Sequence, residues 1–270
     1  MTPQYLTGAD YAPAPKVDKD FISRCTLAPA MPKLLLVGDS FAQVIARHLA
    51  LAASSIGYEF KSIYGYGCPY PLPFSGLKSQ SRKACSDVDE DLLNKEIVEG
   101  LRPGDLVVIR LHYAKPQYLR YPKSGRPPVD AYDAALLEFA GKIRSKGAQL
   151  LIIGSNPVLT QDEIMLLKPQ WFQFATKSEQ KHAVDRESCY YLELDRHLRT
   201  VFAGQSGLHY FSTAEYFCGT EVCRLRLRGR AAYADSEHIN DFAIDLFFPD
   251  LLATLKAAGP RALSKADVRN

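Results

Sequence analysis

The apolar residues of this chain follow two alternating patterns. In the first, four or five apolar residues stand in a row between turn-forming residues, as between Pro32 and Gly38. Such runs are typical of strands buried on both faces of a parallel sheet. In the second, apolar residues recur every three or four positions, as amphipathic helices require. The patterns predict strands at 33–37, 58–64, 105–111, 149–154 and 207–211. They predict a helix that begins at Ser40 and is stopped by Gly57, further helices over 89–101, 129–146 and 241–258, and one long or two shorter helices over 176–202.

Strands and helices that alternate in this way predict the α/β class, as a three-layer α/β/α sandwich with a five-stranded parallel sheet. In such sheets the residues that perform chemistry gather in the loops beyond the carboxyl ends of the strands. The loops to search are therefore those that follow Val37, Tyr64, Leu111, Ile153 and Phe211.

Composition narrows the possible functions without selecting one. The 270 residues include 33 Lys and Arg against 30 Asp and Glu, a net charge of +3, and 47% are hydrophobic. This composition excludes a disordered chain, and the small excess of charge does not point to nucleic acid as a partner. No apolar run is long enough to cross a bilayer. The six cysteines show no CxxC spacing, so no structural metal is expected.

The first candidate for chemistry is Ser40, which follows the first predicted strand within Gly-Asp-Ser-Phe at 38–41. A serine there presents its hydroxyl at the carboxyl edge of the sheet, at a helix start that favours negative charge. The alternative is that Ser40 or Asp39 only caps the helix, a common role at this position.

The second candidate is the pair Asp235 and His238, in Asp-Ser-Glu-His at 235–238, just before the last helix. An aspartate three residues before a histidine can accept a hydrogen bond from its Nδ1–H, which leaves Nε2 free to take a proton from a serine. A lone histidine at such a place is more often structural. The combination with Gly-Asp-Ser after the first strand favours catalysis.

These two segments resemble the first and last motif blocks of the SGNH (GDSL-type) hydrolase superfamily. The closer similarity is to the extracytoplasmic SGNH domains of membrane-bound acyltransferase-3 type O-acyltransferases, which modify bacterial surface glycans. The resemblance covers roughly residues 25–258 and implies a flavodoxin-like SGNH fold. It also implies that Ser40 is the nucleophile, His238 the general base and Asp235 the residue that orients it, with Asp39 structural.

The resemblance further implies an oxyanion hole built from the N–H of Ser40, a glycine N–H after the second strand, and an Asn after the third. Gly67 is our choice for the glycine, with Gly65 as the alternative. No Gly-x-Asn-Asp follows the third strand, so His112 is our candidate for the third donor, with Tyr113 or Arg110 as alternatives. Asn156 could also reach inward, although Asn-Pro is more simply a turn.

The implied function is serine-dependent transfer of an acyl group, acetyl by preference, to a cell-surface carbohydrate hydroxyl through an acyl-serine. The acyl donor would be delivered by a membrane acyltransferase domain, the acceptor would be a glycan, and no cofactor is required. The implied location is periplasmic or extracytoplasmic, tethered to that membrane domain. The alternatives are a carbohydrate O-acetyl esterase of the same fold and a catalytically weak glycan-binding module.

The even number of cysteines is consistent with three disulfides in an oxidising compartment, although residues 1–20 contain no apolar export signal. Cys218 and Cys223 flank a loop short enough for a disulfide within a hairpin, and Cys68 with Cys85 would hold the loop beside Gly67. Cys25 and Cys189 remain as a third pair. The alternative is that all six are buried free thiols.

Residues 1–24 are expected to be a linker or N-terminal extension, 25–260 the SGNH acyltransferase or esterase domain, and 261–270 a disordered tail. A membrane domain that precedes residue 1 would explain why no export signal is needed, and a chain trimmed of its own signal would look the same. Within the domain, basic and apolar residues alternate from 223 to 230. A single strand there would place Arg224, Arg226 and Arg228 on one face.

Overall fold

Five parallel strands form the centre of the fold in a computed structural model, which describes residues 31–64, 95–110, 129–159, 163, 181–183, 186–219 and 222–259. The strands are β1 (Lys33–Gly38), β2 (Glu59–Tyr64), β3 (Leu106–Arg110), β4 (Gln149–Ile153) and β6 (Leu208–Phe211). They lie in the order β2-β1-β3-β4-β6, and every neighbouring pair is parallel. The predicted five-stranded parallel sheet is therefore confirmed.

Helices cover both faces of this sheet, as the apolar runs require. Alternate residues of β1 enter different cores: Leu34 and Leu36 lie in one, Leu35 and Val37 in the other. The first core is closed by α1 (Ser40–Ser55) and α5 (Asp241–Ala258), the second by α2 (Val129–Ser145) and α3 (Arg186–Phe202), while the short α4 (Ala214–Phe217) follows β6. None of the helices in the described ranges is long and apolar enough to cross a membrane.

The prediction of only helix, as one long or two shorter helices over 176–202, is wrong at 181–183. Strand β5 (Lys181–Ala183) pairs antiparallel with β7 (Val222–Arg224), and α3 begins only at Arg186. Pairing with a distant strand overrides local propensity here, and local periodicity carries no trace of that partner. Of the helix predicted over 89–101, the described part is a single π-helical turn at Lys95–Glu99.

Residues 223–230 do not form the single strand that would have placed the arginines on one face. Strand β7 ends at Arg224, and β8 (Arg226–Leu227) then turns back into β9 (Arg230–Ala231). The two turn residues, Arg228 and Gly229, both have positive φ, +48° and +77°. That is the backbone of a two-residue type I′ hairpin turn. The arginines are therefore divided among several short elements and do not share one face.

A disulfide joins Cys218 and Cys223 next to this hairpin. The two residues also form an isolated antiparallel bridge, and both side chains are buried in the core under α1 and α5. Of the other cysteines, Cys25, Cys68 and Cys85 lie outside the described residues. For Cys189, which lies within α3, the structure describes only the backbone. The two other pairings remain predictions.

Replacing Cys218 and Cys223 together by alanine is expected to lower the free energy of unfolding by about 2 kcal/mol. The bond closes a short loop, so it removes little entropy from the unfolded chain and its effect lies at the low end for disulfides. Urea unfolding followed by circular dichroism measures the difference. Identical unfolding midpoints for the wild type and the double variant would contradict the expectation.

Candidate active site

Ser40 is placed by the tight junction between β1 and α1. Gly38, the last residue of β1, pairs with Arg110 of β3. A Cβ atom on Gly38 would overlap the carbonyl oxygen of Arg110 and would lie 2.8 Å from the Cβ of Ala42. Only glycine therefore allows the chain to turn from strand to helix this close to the neighbouring strand. The turn brings Ser40 to the carboxyl edge of the sheet, where α/β folds place their ligands.

Asp39, and not Ser40, caps the helix. The Asp39 side chain is buried and accepts a hydrogen bond from the Phe41 N–H at 2.9 Å. The hydroxyl of Ser40 is thus not needed for capping. Ser40 is the first residue of α1, so no carbonyl within the helix is placed to accept a hydrogen bond from its N–H. Within the described ranges this N–H makes no other hydrogen bond.

Ser40, His238 and Asp235 lie in one hydrogen-bonded row. The Ser40 Oγ is 2.8 Å from His238 Nε2, and His238 Nδ1 is 2.8 Å from Asp235 Oδ2. An ionised carboxylate can only accept, so the proton of the neutral imidazole lies on Nδ1 and Nε2 accepts from the serine hydroxyl. The three residues that the sequence singled out are therefore brought together in the order that proton transfer from serine requires.

The loop that holds His238 is fixed by backbone hydrogen bonds. Asp235 Oδ1 accepts from the N–H groups of Glu237 and His238, both at 2.7 Å. The Ala234 N–H donates to the His238 carbonyl at 2.8 Å, and the Leu159 N–H donates to the Ser236 carbonyl at 2.7 Å. Besides contacting the imidazole, Asp235 thus shapes the loop that carries it.

The side chain of Asp235 is held ionised by these bonds. Burial alone would raise its pKa, but the hydrogen bond with His238, the two backbone N–H groups and the charge of the imidazole outweigh burial and lower the pKa to about 2. Asp235 is therefore a carboxylate at neutral pH. Such a group can stabilise an imidazolium formed on His238.

The lowered pKa of Asp235 predicts a pH-dependent contribution to stability. Its folded pKa of about 2 is below the ordinary 3.8, so the contribution is complete above pH 3.8 and is lost as the pH falls through 2. The difference in free energy of unfolding between wild type and Asp235→Asn should therefore shrink across this interval. Urea titrations at several acidic pH values measure it; a constant difference would contradict the assignment.

The imidazole of His238 also packs on Phe41, the residue after Ser40. The ring centroids are 5.1 Å apart, and Phe41 is almost fully buried. Only 16% of the His238 side chain is exposed, against 47% for Asp235. The Ser40–His238 pair therefore lies in a partly water-excluded position, whereas the carboxylate end of the row is open to solvent.

Of the candidates predicted for the second and third oxyanion donors, the structure describes only Arg110 and Asn156. Gly67, Gly65, His112 and Tyr113 lie outside the described residues. Arg110 does not fit the role, because it has no exposed surface and both terminal nitrogens donate to protein oxygens. Asn156 reaches inward, but its amide nitrogen donates to two backbone carbonyls.

The sequence pattern did not predict that Arg110 and Asn156 are both fully buried and hydrogen-bonded to each other. The signal for Arg110 was present, since a charged residue ended a wholly apolar strand.

No group of His, Cys, Asp and Glu that could hold a metal ion occurs among the residues that the structure describes. The chemistry available at this edge of the sheet is activation of a serine hydroxyl by a histidine.

Comparisons with known proteins agree with this fold. One solved structure similar to this chain is the periplasmic domain of a lipopolysaccharide acetyltransferase from Salmonella ser. Paratyphi A, at 14% identity and a TM-score of 0.56, covering 84% of this chain and 86% of that one. Another is a putative SGNH hydrolase from Slackia heliotrinireducens, at 16% identity and a TM-score of 0.51, covering 83% and 99%.

A third is an acetyl-xylooligosaccharide esterase from Geobacillus, at 15% identity and a TM-score of 0.50, covering 85% of this chain and 95% of that one. At these identities the similarity concerns the fold, which is that of the SGNH hydrolases. No curated protein matches the sequence. The model of the SGNH domain family, described as fused to AT3 domains, matches residues 8–253, most of the chain. The chain therefore belongs to the family of SGNH domains that are fused to AT3 domains.

Proposed function

We propose that this domain transfers an acyl group, acetyl by preference, to a hydroxyl of a cell-surface carbohydrate through an acyl-serine at Ser40. Membership of the SGNH family supports an esterase or an acyltransferase in general. The observation that carries the proposal is the row of hydrogen bonds from Ser40 Oγ through His238 to Asp235, with both links at 2.8 Å. A domain that only bound glycans would not need this arrangement.

The first half of the reaction forms the acyl-serine. His238 Nε2 takes the proton of Ser40 as the hydroxyl oxygen attacks the carbonyl carbon of the donor ester. Asp235 stabilises the imidazolium, and the Ser40 N–H donates to the oxyanion together with the proposed donors Gly67 and His112. The intermediate collapses when the bond to the leaving alcohol breaks and His238 returns the proton to that oxygen.

The second half repeats these steps with the acceptor in place of the leaving alcohol. His238 takes a proton from the acceptor hydroxyl, which attacks the acyl-serine carbonyl. The ester bond to Ser40 then breaks, and Ser40 regains its proton from His238. Whether the acceptor is a sugar hydroxyl or water distinguishes the transferase from the esterase, and the protein groups are the same in both.

Three observations support a carbohydrate acceptor and an extracytoplasmic site of action. The family is described as fused to AT3 domains, which supports a membrane acyltransferase partner that delivers the acyl donor. The Salmonella structure that shares the fold is the periplasmic domain of a lipopolysaccharide acetyltransferase. The disulfide between Cys218 and Cys223 is of a kind that persists in oxidising compartments.

The second candidate is a carbohydrate O-acetyl esterase. The Geobacillus enzyme with the same fold is an acetyl-xylooligosaccharide esterase. The esterase would need no membrane partner, whereas the transferase would depend on its donor.

Acyl release from p-nitrophenyl acetate, with and without a glycan acceptor, tests the proposal and separates the two candidates. Ser40→Ala serves as the blank. Release that accelerates when the glycan is added, together with acetylated glycan in the mass spectrum, is the result expected of the transferase. Glycan-independent release well above the blank would identify the esterase. Equal rates for wild type and Ser40→Ala would refute both.

A further inference from the structure

We infer that Arg110 and Asn156 are positioning residues that hold His238 against Ser40. The inference rests on the proposed function, because it assigns a role toward the same pair of reacting groups. Neither residue touches the row formed by Ser40, His238 and Asp235 in the hydrogen bonds described above. Arg110 donates to the backbone beside Ser40, and Asn156 donates to the backbone beside His238. Arg110 and Asn156 are also hydrogen-bonded to each other.

Arg110 fixes the nucleophile's side of the site. It ends β3 beside Gly38, has no exposed surface, and its Nη1 donates to the Phe41 carbonyl at 3.0 Å. Phe41 follows Ser40 directly, and the guanidinium carbon lies 5.9 Å from the centroid of its ring. Hydrogen bonds from an ionised donor are about twice as strong as neutral ones. The charged guanidinium of Arg110 therefore holds the first turn of α1 in place.

Asn156 fixes the side of the base. It follows β4, has no exposed surface, and its Oδ1 accepts from Arg110 Nη2 at 3.0 Å. Its Nδ2 donates at 3.0 Å to the carbonyl of Glu237, the residue directly before His238. The same nitrogen donates to the Pro157 carbonyl at 3.0 Å, which locks the plane of the amide.

Three hydrogen bonds thus connect the residue after the nucleophile with the residue before the base. The path runs from the Phe41 carbonyl through Arg110 and Asn156 to the Glu237 carbonyl. Both connecting groups are planar and fully buried, so the path has few rotatable bonds free to move. It spans two segments of chain whose reacting residues are 198 positions apart.

Stability alone does not explain a fully buried arginine at this place. Arginine is almost never fully buried unless its charge is accommodated, and a well-packed apolar side chain often stabilises a core as well or better. A planar group that donates in two fixed directions supplies what an apolar side chain cannot, namely a set distance between two segments. An error of about 1 Å in such a distance lowers turnover by about 10²-fold.

Two substitutions separate positioning from stability. Asn156→Asp keeps the oxygen that Arg110 contacts but replaces the donor to Glu237 by an acceptor that repels its carbonyl. Arg110→Lys keeps the charge but loses the planar fork. The loop retains its second hydrogen bond, from Leu159 to Ser236, in both variants. Asn156→Ser, which keeps one donor, is a third variant if either of these does not fold.

His48→Gln is the matched control. His48 is a buried polar side chain on the same helix α1, and it is bonded to Asp245 of α5 at 3.0 Å, away from the site. Two readouts are compared: kcat and KM with p-nitrophenyl acetate, and the low-field proton NMR signal of the His238 Nδ1–H. The second readout does not depend on turnover.

The expected result is a fall in kcat of about 10²-fold in the Asn156 and Arg110 variants, with KM changed by less than about twofold. Their Nδ1–H signal should shift or broaden, whereas His48→Gln keeps the wild-type kcat and signal. Wild-type values in the folded Asn156 and Arg110 variants would overturn the inference. So would an equal fall of kcat in the control.

Failure of the proposed function is a distinguishable outcome. It appears as equal rates for wild type and Ser40→Ala, and the NMR signal then decides the inference alone. A signal that is altered in the Asn156 and Arg110 variants, but not in His48→Gln, supports positioning of His238. An unaltered signal overturns it.

Discussion

Replacing Ser40 by alanine is expected to lower kcat for p-nitrophenyl acetate by about 10⁴-fold or more, and so is replacing His238 by alanine. Neither group reacts alone, because the serine hydroxyl is a poor nucleophile until His238 accepts its proton at 2.8 Å. The double variant should therefore be no slower than either single variant. Asp235→Asn should lower kcat by about 10⁴-fold, since an amide would favour the wrong tautomer of His238.

The control for these variants is Ser55→Ala. Ser55 ends the same helix α1, and its hydroxyl donates only to the Ala52 carbonyl within that helix, at 2.7 Å. It should retain wild-type kcat, which shows that losing a serine from α1 is not itself harmful. Burst kinetics under excess substrate would detect the acyl-enzyme directly. Independent, multiplying losses in the Ser40 and His238 variants would contradict the proposed proton transfer.

Replacing Gly38 by alanine is expected to lower the free energy of unfolding by about 3 kcal/mol. The added Cβ would overlap the carbonyl oxygen of Arg110, a backbone atom that cannot move aside without breaking the β1–β3 pairing. Because Ser40 lies two residues further on, kcat should also fall by about 10²-fold at temperatures where the variant is folded.

Gly141→Ala provides the matched comparison. Gly141 lies within α2, and a Cβ atom there would meet nothing within 4 Å. That change should raise the free energy of unfolding by about 0.5–1 kcal/mol, because alanine favours a helix more than glycine does. Urea unfolding of both variants measures the contrast. If Gly38→Ala unfolds at the wild-type midpoint, the tight approach of β1 to β3 is not what requires glycine.

The elements that the sequence predicted well are those whose burial is determined locally. A run such as 34–37 must be buried on both faces, so it predicts a central strand without knowledge of its neighbours. The strand at Lys181–Ala183 has no such signature, since it exists only because β7 lies beside it. The hairpin at Arg228 escaped prediction because arginine is rarely found with positive φ.

The residues of the site also differ in whether a local sequence pattern points to them. Ser40, Asp235 and His238 stood out because each lies in a short motif typical of its chemistry. Asn156 looked like a turn residue beside Pro157, and its amide bonds to Arg110 and Glu237 cross 46 and 81 residues of sequence. Long-range contacts of this kind are chosen by the packed fold, and a single sequence does not encode them in any local pattern.

The separation of Ser40 and His238 by 198 residues also determines when the site can exist. Ser40 lies on the first described helix, and His238 lies directly before α5, the last described helix. A ribosome must therefore synthesise both segments before Ser40 can meet His238, and a contact so distant in sequence closes a long loop at a cost in entropy. If the domain acts as proposed, an emerging or half-folded chain carries an inert serine, and reactivity toward esters begins only when Ser40 and His238 meet in the folded domain.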